Sequence, residues 1–497
     1  MPEPRTWQVT AGSAVLGLAL AAGAVSAAGP WDNGQRKAER ARAAATTPTG
    51  GAHHAESRPP AGPQLPAPAP SAAGVLRALD APAAGRPGDL ATTLVPLLAD
   101  PGLGTLRTAS VVDVATGKQL FGEGAATPMT PASTIKIATS VAALSALGPD
   151  HRIPTTVVAS PDGRTVTLVG GGDPTLDRTR LKALADGTAR ALKDRGVTGV
   201  RVAYDTSLYQ GPARHPIGPN DNIAPVSALM LDEGRLDRSD RGPAPRTPDP
   251  AGDTADAFAE LLGKAGAKVQ GAPTPARAPK TPQRPEATKD PQAGQGPKDG
   301  TDRATTLART ESAPLSALVE RTLTHSDNDL AEALARQTAL AHGQPAGFAG
   351  AGKAVRDELT ALGLPTTGAR FADGSGLSRD DRISAALLTG LLTRAADPTR
   401  PALRPVLTGL PVGGFSGTLE GRFDTAPATT GAGLVRAKTG TLTGVNTLAG
   451  TVVTADGRLL AFAFLAGRTP SPYQAQPALD RLSAALAPRA GTAPNLP

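Results

Sequence analysis

The sequence predicts a mixed α/β (α+β) chain. It expects one antiparallel five-stranded sheet, drawn from both ends of the folded sequence and flanked by helices, with a large domain inserted between those ends. Three observations predict this. "TASVVDVATGKQLFGEG" (Thr108–Gly124) carries two short strand-like runs around Thr116-Gly117, a hairpin pattern. Three more strand-like runs and a helical one lie near the C-terminus, in "GLVRAKTGTL", "VNTLAGTVVTADGRLLAFAFLAG" and "QPALDRLSAALA". Between the two ends, strand-like and helical runs alternate.

Taken in order, Val9–Ala28 is 20 residues without a charge, rich in small residues and closed by "VSAAGP". This reads as an export signal over 1–28, with small residues at Ser26 and Ala28 for cleavage. The same length could span a bilayer as an uncut anchor. Only Arg5 precedes the run and the basic "QRKAERARAAA" follows it, a poor match to an N-in anchor. Residues 29–88 are dense in Ala, Pro and Gly and read as a linker with too few large apolar groups to fold.

The hairpin follows, then a helix opened by "MTPASTIKIATS" (Met129–Ser140). Ile137, Val141 and Leu144 repeat at helical spacing until Gly148-Pro149 ends it. Residues 89–153 and 306–490 are assigned to one catalytic domain. Residues 154–305 alternate "TTVVAS", "RTVTLVG" and "GVRVAYD" with "LKALADGTARALKD" and read as the inserted domain. Within it, Pro- and Lys-rich 276–303 reads as a low-complexity loop that should not touch chemistry. An Asp456-Gly457 turn is expected between the last two strands.

Composition narrows the function. The 497 residues include no Cys, which excludes disulfides, thiolate metal sites and a Cys nucleophile. The six His include no HExxH, and neither a metal site nor a cofactor is read. Aromatics are 3% of the chain, so its cores must be aliphatic. The net charge of +7 comes from scattered residues without interleaved aromatics, which is no nucleic-acid face. It suits a basic solvated surface, or attraction to an anionic cell wall or membrane surface.

Three short motifs carry the chemistry. Ser133 and Lys136 sit at i and i+3, so they share a helix face. A serine hydroxyl needs a base to become a nucleophile, and a lysine can serve only when neutral, through desolvation or nearby positive charge. Alone, such a pair is more often a helix-capping serine and an exposed lysine. "THSDNDLAEALAR" then supplies Ser326, Asp327 and Asn328 between two helical patterns, 193 residues after Ser133. "RAKTGTLTG" supplies Lys438, Thr439, Gly440 and Thr441 on a strand, 112 residues after Ser326. SDN alone is a plausible turn and KTG a plausible strand end. In this order the three match the set used for acyl transfer by a serine nucleophile.

Such chemistry needs a nucleophile, proton shuttles, an oxyanion hole and a carboxylate clamp. Ser133 supplies the nucleophile and Lys136 the base. Ser326 can pass a proton toward the leaving amine, and Asn328 can hold Lys136 and a substrate amide. Lys438 adds positive charge that keeps Lys136 neutral and draws in a terminal carboxylate, which the Thr439 and Thr441 hydroxyls can bind. Gly440 would let substrate approach the strand edge. The backbone N–H groups of Ser133 and Thr441 are the expected oxyanion hole.

Here the chain resembles the D-alanyl-D-alanine carboxypeptidase/endopeptidase family of class C low-molecular-mass penicillin-binding proteins, peptidase family S13. The three motifs, "GGGDPTL" (Gly170–Leu176), "APVSALMLDEGRLD" (Ala224–Asp237) and "FADGSGLSR" (Phe371–Arg379) carry the resemblance over about residues 90–490. It implies a penicillin-binding-protein/serine β-lactamase-like transpeptidase fold and an acyl-enzyme formed with peptidoglycan stem peptides, with β-lactam antibiotics as covalent inhibitors. It also implies that Arg379 and Asp221 face the stem-peptide side chain. Asp173, Asp373 and His325 are read as turn, loop or capping residues. A serine β-lactamase is the first alternative, but "RDELTALGLP" (Arg356–Pro365) lacks the ExxLN pattern of its deacylating loop. A non-catalytic wall-binding scaffold is the second, and the presence of both Ser133 and Lys136 argues against it.

Overall fold

The computed structural model describes residues 88–279, 304–454 and 457–487. The export segment 1–28, nearly all of the linker, most of loop 276–303 and Asp456 lie outside the described residues. Among the described residues, no helix is long and apolar enough to cross a membrane.

The first part of the chain forms α1 (Gly88–Leu98), β1 (Leu106–Asp113), β2 (Gln119–Glu123) and α2 (Lys136–Leu147). Asp113 closes the β1–β2 turn by accepting the Thr116 N–H and hydroxyl, each at 3.0 Å. Next come β3 (Pro154–Ala159), β4 (Thr165–Val169), α3 (Arg178–Asp194), β5 (Gly199–Asp205), α4 (Pro250–Lys264), two short strands β6 (Lys268–Val269) and β7 (Thr274–Pro275), and β8 (Thr305–Glu311). The chain then builds α5 (Leu315–His325), α6 (Asn328–Ala341), α7 (Phe348–Ala361) and α8 (Ala385–Ala396). It ends with β9 (Val435–Leu442), β10 (Val445–Val453), β11 (Leu459–Gly467) and α9 (Pro472–Ala484).

The early hairpin and the late strands form one five-stranded sheet in the order β2-β1-β11-β10-β9. Neighbours throughout it are antiparallel. Helices cover both faces, so β10 and β11 are buried at nearly every position while their side chains still alternate. Ala461, Ala463 and Leu465 pack with α2 and α5–α8. Leu460, Phe462, Phe464 and Ala466 pack on the other face with α1 and α9.

The inserted stretch has its own sheet, β6-β5-β4-β3-β8, with β7 beside β5. The β4–β5 pair is parallel and is bridged by α3, the crossover that parallel neighbours require. Its core includes Val157, Val166, Leu168, Leu184, Val202 and Phe258. The insertion is expected to end at 305, but β8 pairs with β3 from Thr305 to Glu311, so the second sheet runs past that boundary. β8 is an edge strand with half-exposed or exposed residues throughout, so it lacks the apolar alternation that would reveal it.

Candidate active site

Ser133 sits in a tight turn, Ala132–Ile135, immediately before α2. Ala132 has a φ of +49°, a conformation that disfavours any residue with a Cβ. Packing imposes it. A Cβ on Gly376 would fall 2.1 Å from the Ala132 carbonyl oxygen, so only glycine lets that loop press against the turn. On the other side the Pro131 carbonyl accepts the hydroxyls of Thr134 and Thr447, each at 2.7 Å.

Lys136, one turn onward, is 0% exposed. Its Nζ lies 3.0 Å from Ser133 Oγ, 2.7 Å from Asn328 Oδ1 and 2.5 Å from the Ser375 carbonyl oxygen. Asn328 Nδ2 donates to the Asn222 carbonyl at 2.9 Å, which fixes the amide with its oxygen toward the lysine. A neutral amine fits this cage: two N–H groups for the two carbonyl-type oxygens and a lone pair for the Ser133 hydroxyl.

The SDN motif is a corner between helices. Ser326 ends α5 in the left-handed region (φ 59°, ψ 37°). Asp327 caps α6 by accepting the Leu330 N–H at 3.0 Å, as N-caps do, and Asn328 opens α6. The reversal brings Ser326 and Asn328 to one cavity.

The KTG motif lies on β9, the sheet edge. Leu442 and Val445 pair across a two-residue Thr443-Gly444 turn, so even-numbered β9 residues bond to β10 and odd-numbered ones face away. The Ala437 N–H accordingly donates outward, to the Pro411 carbonyl at 2.9 Å. The same alternation turns the Thr441 N–H to the open edge. Lys438 is 0% exposed and its Nζ donates to the Thr439 carbonyl at 2.8 Å. The Thr439 hydroxyl donates to Thr418 Oγ1 at 2.8 Å.

Gly440 needs a corrected role. The space of its absent Cβ is filled, with Thr447 Oγ1 2.2 Å and the Pro131 carbonyl oxygen 2.7 Å from where a Cβ would be. The glycine lets the Ser133 turn pack on β9, and access for substrate is not what demands it. Gly440→Ala should push that turn aside and slow penicillin acylation about 10²-fold, since misplacement by 1 Å has that effect. Overpacking should cost about 1–3 kcal/mol of stability. Stopped-flow acylation and a thermal melt check both.

A cavity of about 230 Å3 is lined by Ser133, Ser326, Asn328, Thr439 and Thr441. Asn222, Leu377 and Thr418 also line it, and no motif pointed to them. Asp221 and Arg379 do not line it. Asp221 is exposed and is the neighbour of Asn222. The Arg379 guanidinium donates to the Thr443 carbonyl at 3.0 Å, on the β9–β10 turn.

The Ser375 carbonyl is aimed by buried carboxylates. Glu332 Oε1 accepts the N–H groups of Gly374 and Ser375 at 2.9 and 3.0 Å. Asp373 accepts those of Gly376 and Ser378, each at 2.6 Å. His215, from the inserted stretch, reaches Asp373 at 2.9 Å. Asp373 shapes its loop, and Asp173 holds a turn by accepting the Thr175 N–H at 2.9 Å.

Burial pushes Lys136 down to about 8, against the opposing pull of Asp373, Asp327, Glu332 and Asp381. Lys438 is also held well below its usual value, through burial first and the charge of Lys136 second. A second buried acidic group, Glu233, Asp327 and Asp329, is taken up by arginines. Arg235 and Arg321 meet Glu233, Arg321 meets Asp327 and Arg246 meets Asp329. Burial and the charge of Asp327 push Glu233 and Asp329 up, and the neighbouring arginines pull them back.

Carboxypeptidase DacB of Mycolicibacterium smegmatis is 38% identical over 452 residues, covering 87% of this chain and 90% of that protein. The D-alanyl-D-alanine carboxypeptidase of an Actinomadura species is 32% identical over 466 residues, covering 80% and 84%. The fold matches penicillin-binding protein 4 of Haemophilus influenzae with a TM-score of 0.61 at 21% identity, over 80% of this chain and 98% of that one. The family described as D-Ala-D-Ala carboxypeptidase 3 (S13) matches residues 90–245 and 294–486, and the chain belongs to that family.

Proposed function

We propose that this protein is a penicillin-sensitive serine D-Ala-D-Ala carboxypeptidase of peptidoglycan stem peptides, working through an acyl-enzyme on Ser133. The carrying observation is Lys136 Nζ, buried and set between Ser133 Oγ, Asn328 Oδ1 and the Ser375 carbonyl. Ser133 Oγ attacks the carbonyl carbon of the penultimate D-Ala and its proton passes to Lys136. The Ser133 and Thr441 N–H groups hold the oxyanion. The C–N bond breaks as Ser326 relays a proton to the departing amine, and water then hydrolyses the ester. The terminal carboxylate rests at Lys438, Thr439 and Thr441. Its arrival favours a charged Lys438, which in turn favours a neutral Lys136, so the substrate helps prepare its own base. The scheme uses no cofactor.

The same site accepts a DD cross-link where the leaving amine belongs to a second stem peptide. Because the substrate lies outside the cell membrane, the export reading of 1–28 fits this activity. The +7 charge suits adherence to an anionic wall or membrane surface.

In a β-lactam the cleaved amine stays tethered and impedes water, so the adduct persists. Benzylpenicillin should therefore label the peptide holding "PASTIK" (Pro131–Lys136). Mass mapping that places the adduct elsewhere, or finds none, would refute the assignment. A fluorescent penicillin time course separates the alternatives: a DD-peptidase keeps the label, a β-lactamase sheds it and a scaffold never takes it.

A further inference from the structure

Three arginines from the inserted stretch, Arg235, Arg241 and Arg246, line the Ser133 cavity, and their charges are not equally spent. The Arg235 side chain is 4% exposed, pairs with Glu233 at 2.8 Å and donates to Ser239 Oγ and the Gly242 carbonyl, each at 2.9 Å. Arg246 is also 4% exposed and pairs with Asp329 at 3.1 Å, but its Nε is buried without a partner. Arg241 is 63% exposed, and its ion pair is a 3.8 Å contact with Asp240, itself 80% exposed. Such a surface pair contributes little. Arg241 therefore presents an unspent cation to the cavity.

The cavity's layout places this cation relative to the scissile bond. Thr439 and Thr441, the carboxylate clamp, mark the leaving-group side. Thr418, bonded to Thr439, and Ser326, the donor to the leaving amine, belong to that side. His325 precedes Ser326 and lines the same wall. Arg321 donates to the Asp240 carbonyl at 3.2 Å and meets Asp327 at 3.4 Å, which sets residues 240–241 beside the Ser326 corner, and there the charge of Arg241 adds to burial in depressing the His325 pKa. A leaving D-Ala has one carboxylate, already held by the clamp. A longer leaving group can bring a second.

We propose that Arg241, with Arg246 in the same cavity wall, forms an anion subsite that selects leaving groups carrying a second carboxylate, such as the acceptor peptide of a DD cross-link. This rests on the peptidase reading above. The test uses one acyl donor, D-Ala, joined to either of two leaving D-amino acids that differ only in a side-chain terminal carboxylate or its amide. A second pair carries the carboxylate or amide on the acyl side instead. In the wild type, kcat/KM should favour the carboxylate leaving group over its amide. Arg241→Gln should shrink that preference about tenfold, as loss of one charge-assisted contact implies. Arg241→Lys should keep most of it, and added salt should erode it. No wild-type preference, a preference untouched by Arg241→Gln, or an equal loss in the acyl-side pair would overturn the subsite. Benzylpenicillin labelling of Ser133 is read in parallel: labelling without the preference defeats the subsite alone, and absence of labelling defeats the peptidase reading.

Discussion

Lys136→Met should nearly abolish acylation of Ser133 by every substrate, charged or neutral. Removing a positioned base slows a reaction about 10²–10⁴-fold, and Ser133 has its short contact to a basic nitrogen through this residue. Met fills most of the buried volume without restoring the base, so a thermal melt separates misfolding from lost chemistry. Lys438→Ala should behave differently. Matched thioesters with and without the terminal carboxylate should both slow, the carboxylate form more, because Lys438 belongs to the clamp. Equal slowing would remove Lys438 from it, and near wild-type acylation by Lys136→Met would make Lys136 a mere helix charge. The pH profile adds a sign. The base works deprotonated and its pKa is about 8, so acylation should rise as pH approaches 8 and level off above it. Stability moves in the same direction. Lys136 titrates near 8 when folded and near 10.5 otherwise, so the unfolded chain binds more protons between those values and stability gains as pH rises across them.

How much of this site the sequence reveals depends on whether local order encodes it. Ser133 and Lys136 announce themselves because one helical turn brings i and i+3 together. Ser326 to Asn328 and Lys438 to Thr441 are legible because each motif is a contiguous piece of backbone: a corner between two helices and a sheet edge. The five-stranded sheet is legible because β11 is a long apolar run, β9 and β10 are long strand-like runs beside it, and β1 and β2 form a tight hairpin. What escapes is supplied across long sequence separations. Thr418 meets Thr439 from a single 3-10 turn, Gly417–Leu419, and the Asn222 carbonyl orients Asn328 from the inserted stretch. Gly440 misleads because glycine in a strand signals close approach but not by what, and here the approaching atoms belong to Pro131 and Thr447. The pKa of Lys136 is set by burial against four surrounding carboxylates, of which only Asp327 and Glu332 are near a motif in sequence. Glu332 and Arg336, four apart on a helix, are both buried, which their spacing alone does not encode.

That buried pair yields the other large expected effect. Glu332 Oε2 accepts from Arg336 at 2.8 Å with the two side chains 0% and 1% exposed, and the Arg336 guanidinium lies 4.3 Å over the Phe348 ring. Glu332→Ala leaves the arginine's charge buried and uncompensated, which costs about 3–5 kcal/mol. It also strips the Gly374 and Ser375 N–H groups of their acceptor, freeing the carbonyl that holds Lys136. Stability and acylation should fall together in this variant, so it cannot by itself separate structure from positioning. The double variant Glu332→Met with Arg336→Met can. Replacing both partners of a buried pair by apolar groups is often neutral or stabilising, so the melting temperature should regain the part lost to the bare arginine charge. The two N–H groups still lack an acceptor, so acylation by benzylpenicillin should stay slow. Recovery of both in the double variant would mean that Glu332 only neutralises Arg336. Recovery of stability alone would mean that a carboxylate never touching substrate sets the aim of the catalytic lysine.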